Sequence, residues 1–328
     1  MSLFSALANL IKPAPPPDPE VAAALDRVIG MVDPLVRAAP QLEKHLLGAV
    51  EHALAYCAGL VDALPGPVDI NRQAFAQDPL VHALFATAED IDGMLGHSTA
   101  IRDYLARPEC WDSDHFCAML AARRHQKRQF GMARHGDFIQ ADVPQEILYF
   151  SNQTLVEPCC DVDRTRTRLR ARALESLLRT FNTHVEALRL ERDAVRADLK
   201  AEYAWQQGSP HGTEAQQALH SRHLVELDSK LRALGDAMLP EHLAEALADF
   251  LHHPECALQL RAVHMRIDRL GVVLPDDEVD LSAQILDFPE LSSRDRRLHM
   301  ATLVRVARCD ALAAVDRVKS QQNRTILI

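Results

Sequence analysis

Three soft metal-binding side chains lie close together in the first half of the chain. Cys110, His115 and Cys117 form a Cys-x4-His-x-Cys cluster, and the vicinal Cys159 and Cys160 follow downstream. Thiolate and imidazole groups are the donors of structural zinc sites, and paired thiols also suit a redox switch. The spacing differs from the Cys-x2-Cys of zinc knuckles, and Cys117 also fits an apolar helical face. We therefore treat Cys110, His115 and Cys117 as weak metal candidates and predict no bound cofactor.

His220, His223 and Glu226 follow one another at one-turn spacing, so on a helix they can share a face and bind a divalent ion. Polar residues on a solvated helix show the same pattern. A diiron carboxylate bundle is excluded, because it needs Glu-x-x-His on two helices and the chain has none. The nucleophile-elbow, phosphate-loop and dinucleotide motifs are absent too. The sequence therefore leans against an enzyme but leaves the question open.

The composition is that of a folded, helix-rich protein. The chain has 328 residues, of which 48% are apolar, 25% charged and only 5% aromatic. Ala, Leu, Arg and Glu predominate, which favours helix over strand. The net charge of −10 argues against nucleic acid as the partner. A bilayer-spanning apolar run and a signal peptide are both absent from the sequence, and the seven scattered cysteines indicate reduced thiols, so we expect a cytoplasmic location.

The N-terminus has the pattern of an amphipathic helix on a proline tether. One helical stripe carries the apolar residues Leu3, Phe4, Leu7, Leu10 and Ile11, and a proline-rich linker follows to residue 19. Three interpretations stay open: the segment covers its own core, docks into a partner, or lies at the inner membrane surface. The C-terminus also ends in apolar residues, 325–328, which either pack or are bound by another molecule.

Two basic stretches form a candidate patch for an anionic partner. The residues are Arg123, Arg124, Lys127, Arg128, Arg164 and Arg168. Alternating arginines spread around a helix rather than forming one stripe, so ion pairing at a solvated helix start is the competing interpretation.

The strongest structural signal covers residues 161–238. Leu174, Phe181, Leu188 and Val195 recur every seven residues, and neither proline nor glycine interrupts the chain before Gly208. The loop 208–212 follows, with Thr213 as a helix cap. Folding the chain back there gives residue pairs whose numbers sum to 419, such as 188 with 231. We predict a long antiparallel helical hairpin of the coiled-coil type.

Helical periodicity extends over most of the remaining chain. It predicts helices across 20–64 and 71–106, after Asp112 through Arg128, and near 240–252, 254–269, 280–287 and 293–319. The period fails between residues 128 and 150, where we predict a small β-hairpin or an irregular insert. The expected fold class is therefore mainly α: a multi-helix bundle with a long hairpin and a small β insert.

An internal echo suggests a diverged repeat. Residues 103–110, DYLARPEC, match 249–256, DFLHHPEC, and 146–150 resemble 284–288. We therefore divide the chain into a tethered segment 1–19, a helical module 20–160, the hairpin 161–238 and a module 239–328 that repeats 81–160. These modules can also pack as a single domain.

These features favour a non-enzymatic scaffold or adaptor that binds a protein partner through helical surfaces. The long helix offers a second route, to a homo-oligomer, and residues 1–12 offer peripheral membrane contact. The alternative is a metal- or redox-responsive sensor or enzyme that uses the Cys/His cluster near 110–117.

Overall fold

The computed structural model of the protein describes residues 18–135, 138–208, 213–268, 270–275, 283–293 and 298–326. The chain divides into two compact units. The first contains the residues up to Ala55 together with Leu174–Pro254, and the second contains Tyr56–Ala173 and the residues from Glu255 onward. Each unit is therefore assembled from two separate stretches of the chain.

Helices form the larger part of the described chain. In order they are α1 (Pro19–Met31), α2 (Pro34–Arg37), α3 (Leu42–Asp62), α4 (Arg72–Gln77), α5 (Pro79–Leu84), α6 (Ala88–His97), α7 (Thr99–Leu105), α8 (Val162–Gly208), α9 (Glu214–Ala237), α10 (Pro240–His252) and α11 (Arg308–Ile326). Single 3-10 turns lie at Pro108–Cys110 and Pro254–Cys256.

Several helices begin where the sequence supplies a cap. Asp18, Asp33 and Asp78 each precede a proline, and each carboxylate accepts a hydrogen bond from a backbone N–H of the first turn. Proline suits this first position because its missing N–H would have no helical partner there. Ser98 and Thr213 also cap the helices that follow them, and the predicted Thr213 cap is thereby confirmed.

The second unit contains a six-stranded sheet. Its strands are β1 (Val68–Asp69), β2 (His115–His135), β3 (Phe138–Cys159), β4 (Leu258–Ile267), β5 (Gln284–Ser293) and β6 (Leu298–Ala307). The spatial order is β3-β2-β6-β5-β4 with antiparallel pairing throughout, and β1 adds a short parallel pairing to β6. The β2–β6 pairing brings together strands that are distant in the sequence.

A short segment after β4 joins the two edges of the sheet. Val272 forms a bridge with Ile147 of β3, and the next residue forms a bridge with the end of β4. The Leu148 N–H donates to the Gly271 carbonyl at 2.9 Å. Gly271 has φ 81°, and a Cβ there would lie 2.9 Å from the Leu148 carbonyl oxygen, so this close approach requires glycine. The sheet therefore curves until its outer strands meet through this segment.

The curved sheet and the helices of the second unit share one apolar core. Phe116 packs against Tyr104 with ring centroids 5.3 Å apart, and the rings of Phe150 and Phe288 meet edge to face at 5.5 Å. Phe150 and Phe288 belong to the two copies of the second internal echo. Both copies of the first echo form a helix, a 3-10 turn and then a strand. The copies thus share local structure, and the duplication remains a hypothesis.

The mainly α prediction is wrong, because the second unit is built on this sheet and the fold is mixed α and β. The predicted insert at 128–150 is part of a much longer hairpin, β2 and β3, which runs from residue 115 to 159. Three more strands form where helices were predicted, near 254–269, 280–287 and at the start of 293–319.

The physical reason is clearest in β2. Phe116, Cys117, Ala118, Leu120 and Ala122 are all buried, because β2 lies between two strands and is covered on both faces. A strand buried on both faces has no alternation of polar and apolar residues, so its apolar run resembles a buried helix. Its neighbour β6 is supplied from the far end of the chain.

The first unit contains α9 and the greater part of α8, packed along an apolar seam. Val195, Leu227 and Leu234 are buried in that seam. Lys230 Nζ lies 2.8 Å from Glu191 Oε1, and residue 220 contacts residue 202. The predicted register would place 228 opposite 191 and 217 opposite 202. The observed contacts therefore lie two and three residues further on, which is less than one helical turn.

Candidate functional site

β2 and β3 extend beyond the other strands as a two-stranded ribbon. β2 pairs with β6 only from His115 to Arg123, and the Gly271 segment contacts β3 only near Leu148. Within the described chain, residues 129–135 and 138–145 therefore pair only with each other. We call these two stretches the ribbon tip. At about 3.4 Å per residue, the tip extends roughly 24 Å past its last support.

One face of the ribbon tip carries a group of apolar side chains. Phe130 and Met132 lie two residues apart on one strand and so point to the same side. Register places Pro144 opposite Phe130. It places Ile139 opposite Arg134, so Ile139 shares that side too. Phe130, Met132 and Ile139 are 74%, 73% and 72% exposed. We call Phe130, Met132, Ile139 and Pro144 the ribbon patch.

A bulge shapes β3 beside the patch. The pairing shifts between Gly131 and Ala133, and Asp142 on the opposite strand has φ 60°. Aspartate tolerates this left-handed conformation better than most residues, and a bulge increases the local twist of a ribbon. The Gln145 side-chain amide donates to the Met132 carbonyl at 3.0 Å and fixes the strands on the far side of the bulge.

The charges around the ribbon nearly balance. Arg123, Lys127 and Arg128 are exposed and form no ion pair with any described residue. Asp142 is also exposed, and the half-buried Glu146 lies opposite Arg128 in the register. The ribbon therefore presents an apolar face among mixed charges rather than a uniformly basic surface.

The other members of the predicted anionic patch are engaged in ion pairs. Arg124 Nε lies 2.6 Å from Glu290 Oε1. Arg168 lies 3.7 Å from Glu109, and Arg164 pairs at 3.5 Å with the carboxylate three residues before it. Arg124 lies on β2 and the other two on α8. Only Arg123, Lys127 and Arg128 of the six predicted residues remain available to a partner.

The Cys/His candidates lie at the base of the ribbon. Cys110 and Cys117 are buried in the unit's interior, whereas His115 is exposed at the start of β2. Cys159 is buried beside Cys117, and Cys160 is partly exposed. The residues that the structure describes contain no group of three or more histidine, cysteine or acidic side chains placed to hold a metal ion.

The helical hairpin carries a polar cluster and exposed apolar residues. Trp205 stacks on His220 with ring centroids 3.4 Å apart, and Glu202 contacts both His220 and His223. The hydrogen bond from His220 holds the pKa of the Glu202 carboxyl below its usual value. The largest apolar side chains left in water on this hairpin include Leu190, Leu219 and Val225, at 66%, 68% and 71% exposed. Leu190, Leu219 and Val225 lie on the two helices of the hairpin but outside the apolar seam between them.

The described residues of the second unit line cavities that could hold a ligand. One, of about 500 Å³, lies between the end of α3 and β4; the Tyr56 hydroxyl there donates to the Leu258 carbonyl at 2.7 Å, and burial raises the Tyr56 pKa. The other, of about 240 Å³, lies between α6 and α11, where Asp92 accepts hydrogen bonds from Arg72 and Arg317. Their polar groups are largely engaged with one another, so neither cavity offers a converging set of free donors.

The apolar N-terminal residues Leu3, Phe4, Leu7, Leu10 and Ile11 lie outside the described residues, as do the last two residues of the C-terminal tail. Within the described part of the chain, no helix combines the length and apolar character needed to cross a membrane. Sequence reasoning did not identify the ribbon patch, although the alternation Phe130-Gly-Met132 beside a predicted β segment was its signal.

Comparison of the chain with family models, with curated proteins and with solved structures finds no match. The ribbon, the helical hairpin and the thiols are therefore the features that bear on function.

Proposed function

We propose that the protein is a non-enzymatic adaptor that binds a protein partner through the ribbon patch. The exposure of Phe130, Met132 and Ile139 on a single face is the observation that carries this proposal. Burying one such side chain is worth about 1.5–3 kcal/mol, so leaving three together in water is costly for an isolated protein. An interface that covers them recovers that free energy.

The chemistry around the patch favours a protein over a nucleic acid or an anionic lipid. The carboxylates of Asp142 and Glu146 lie on the same ribbon as the exposed basic residues, whereas phosphate-binding surfaces are predominantly basic. The ribbon tip also has free strand edges, whose backbone N–H and C=O groups can pair with an extended segment of a partner. A partner strand on one edge would lie beside the patch.

A photo-crosslinking experiment in cells that make the protein tests this proposal. A benzophenone amino acid replaces Phe130, and the matched control places it at Gln129, the next residue, which points to the opposite face. We expect a discrete adduct with a second polypeptide from position 130 only. Adding Met132→Ser and Ile139→Ser should abolish it.

Binding of the identified polypeptide to purified protein then gives the affinity. Met132→Ser should weaken binding at least tenfold, since about 1.4 kcal/mol corresponds to a factor of ten. Equal adducts from positions 129 and 130, or unchanged affinity of the serine variant, would show that the patch is not the docking surface. An adduct between two copies of this chain would show that the patch mediates self-association and does not bind a different protein.

The proposal also includes two weaker contacts. Exposed Leu190, Leu219 and Val225 support a homo-oligomer through the long helices, which sedimentation velocity tests by comparing the protein with Leu190→Ser. We further propose a cytoplasmic location with residues 1–12 at the inner membrane surface. Vesicle flotation of the full chain against residues 20–328 tests this contact, and equal flotation of the two would exclude it.

A further inference from the structure

Four of the seven cysteines meet where the ribbon joins α8. Cys110 lies in a 3-10 turn, Cys117 in β2, and Cys159 and Cys160 at the junction of β3 with the helix. The buried hydroxyl of Tyr104 lies among them, and both burial and the neighbouring Cys110 thiol raise its pKa. Thiols are therefore concentrated at one place in the second unit.

Two of these thiols face each other across the ribbon. Cys117 and Cys159 are direct register partners in the antiparallel β2–β3 ladder, and they are 5% and 2% exposed. Directly opposed residues in such a ladder have Cα atoms about 4.5–5.5 Å apart and side chains on the same face. Disulfides span Cα separations of about 4.4–6.8 Å, so the usual spacing of opposed ladder residues falls within the range that a disulfide can bridge. A register shift follows between Cys117 and Met119, where Glu157 on β3 has φ 51°.

The surroundings keep both thiols protonated under ordinary conditions. Burial raises the pKa of the Cys117 thiol, which Arg305 partly opposes. Burial likewise raises the pKa of Cys159, and Arg168 partly opposes it. The pair is thus slow to react with weak oxidants, because the thiolate is the nucleophile in disulfide chemistry.

The neighbouring Cys160 has a different environment. Its thiol is partly exposed, lies 3.3 Å from Arg164 Nη1 and contacts the Asp161 carboxylate. It follows Cys159 directly in the chain, and vicinal cysteines close only a strained ring. The cross-strand pair is therefore the better geometric match for a disulfide.

We propose that Cys117 and Cys159 form a reversible cross-strand disulfide when the protein is exposed to hydrogen peroxide. One thiolate attacks the O–O bond, forming a sulfenic acid and releasing hydroxide, which takes up the thiol proton as water. The second thiol attacks the sulfur of the sulfenic acid. The hydroxyl group of the sulfenic acid then leaves as water with the proton of the second thiol. Overall, two thiols and one peroxide give one disulfide and two waters.

The bridge would fasten the base of the ribbon at the start of α8. Cys117 and Cys159 are the first paired residues of the β2–β3 ladder. The Thr165 hydroxyl of α8 lies within hydrogen-bond distance of two acceptors, the Asp161 carbonyl oxygen at 2.8 Å and the Cys117 carbonyl oxygen at 3.1 Å. This inference does not depend on the identity of any partner of the ribbon patch.

The test uses the full chain carrying Cys256→Ser and Cys309→Ser, which removes the two exposed thiols most prone to link separate molecules. The protein is treated with hydrogen peroxide at mildly alkaline pH, alkylated and digested without reduction. We expect mass spectrometry to find the peptide pair linked through Cys117 and Cys159. We also expect the number of free thiols, counted in the denatured protein, to fall by two per chain and to recover with dithiothreitol. The melting temperature should rise on oxidation.

Two variants keep the result interpretable if one of them folds poorly. Cys117→Ala and Cys159→Ala should each prevent the loss of two thiols, whereas Cys160→Ala should leave it unchanged. A Cys159–Cys160 linkage, a linkage through Cys110, or an unchanged thiol count would each overturn the proposal. Linkage mapping can be repeated on the unsubstituted chain, so a folding defect in a variant cannot hide the outcome.

Discussion

Arg124 and Glu290 form an ion pair that is largely removed from water. The Nε and Oε1 atoms lie 2.6 Å apart, and the two side chains are 16% and 9% exposed. Arg124 Nη1 also lies 3.8 Å from the Met265 sulfur. We predict that Arg124→Met lowers the unfolding free energy of the second unit by about 3–5 kcal/mol, because it leaves a buried carboxylate without its partner.

A double variant separates the charge from the packing. Arg124→Met combined with Glu290→Leu removes both charges and keeps most of the side-chain volume. We expect its stability to lie within about 1 kcal/mol of the unsubstituted protein, since apolar pairs commonly replace buried ion pairs at little cost. Glu290→Leu alone should cost several kcal/mol, so the cycle should give a coupling energy of about 4 kcal/mol or more.

Native-state hydrogen exchange on peptides from β2 and β5 is the suitable assay. It reports the opening of the second unit without assuming that both units unfold in one transition. Arg123→Met is the matched control: it removes an exposed arginine on the same strand and should change stability by less than about 0.5 kcal/mol. Equal losses for Arg124→Met and Arg123→Met would refute the reasoning, as would a double variant no more stable than the singles.

Three further perturbations test other contacts. Gly96→Ala should cost about 1–3 kcal/mol, because its Cβ would lie 2.6 Å from Val318 Cγ2, whereas Gly93→Ala has open space and should be neutral or stabilising in a thermal melt. Burial opposes ionisation of Asp92, but hydrogen bonds from two arginines hold its pKa below 3.8; its contribution is therefore present above that pH and lost as the pH falls through the lowered pKa. Asp92→Asn should lower the melting temperature at pH 7 and flatten its fall in acid. Asn182→Leu should cost about 1–3 kcal/mol by urea unfolding, because the Asn182 side chain bonds two backbone groups between α1 and α2.

Local signals in the sequence predicted the Thr213 cap and the long helix. Thr213 caps its helix through its own side chain, so the signal requires only four consecutive residues. The helix Val162–Gly208 likewise follows from residues within it, because no proline or other breaker interrupts the seam. These are features whose energy comes from neighbours in the chain.

The candidate site was only partly predictable. Residues 128–150 were predicted as a small β-hairpin or an irregular insert, yet Phe130 and Met132 were not identified as an exposed face. That assignment needs the register that places Ile139 beyond Met132 on the same side. The basic patch was predicted as one surface, and the pairing of Arg124 with Glu290 on β5 removes it from that surface.

The sequence by itself determined the capped helices, the uninterrupted α8 and the clustering of cysteines near 110–117. Only the tertiary structure decided that Phe116–Ala122 lies in a strand, because its hydrogen-bond partners come from residues 298–307 and no local propensity encodes them. The register of the β2–β3 hairpin places Cys117 opposite Cys159, and within the described residues the ribbon tip pairs with no other strand. Cys117, a weak metal candidate in the sequence, therefore faces the Cys159 thiol in the structure, because strand register sets which side chains meet.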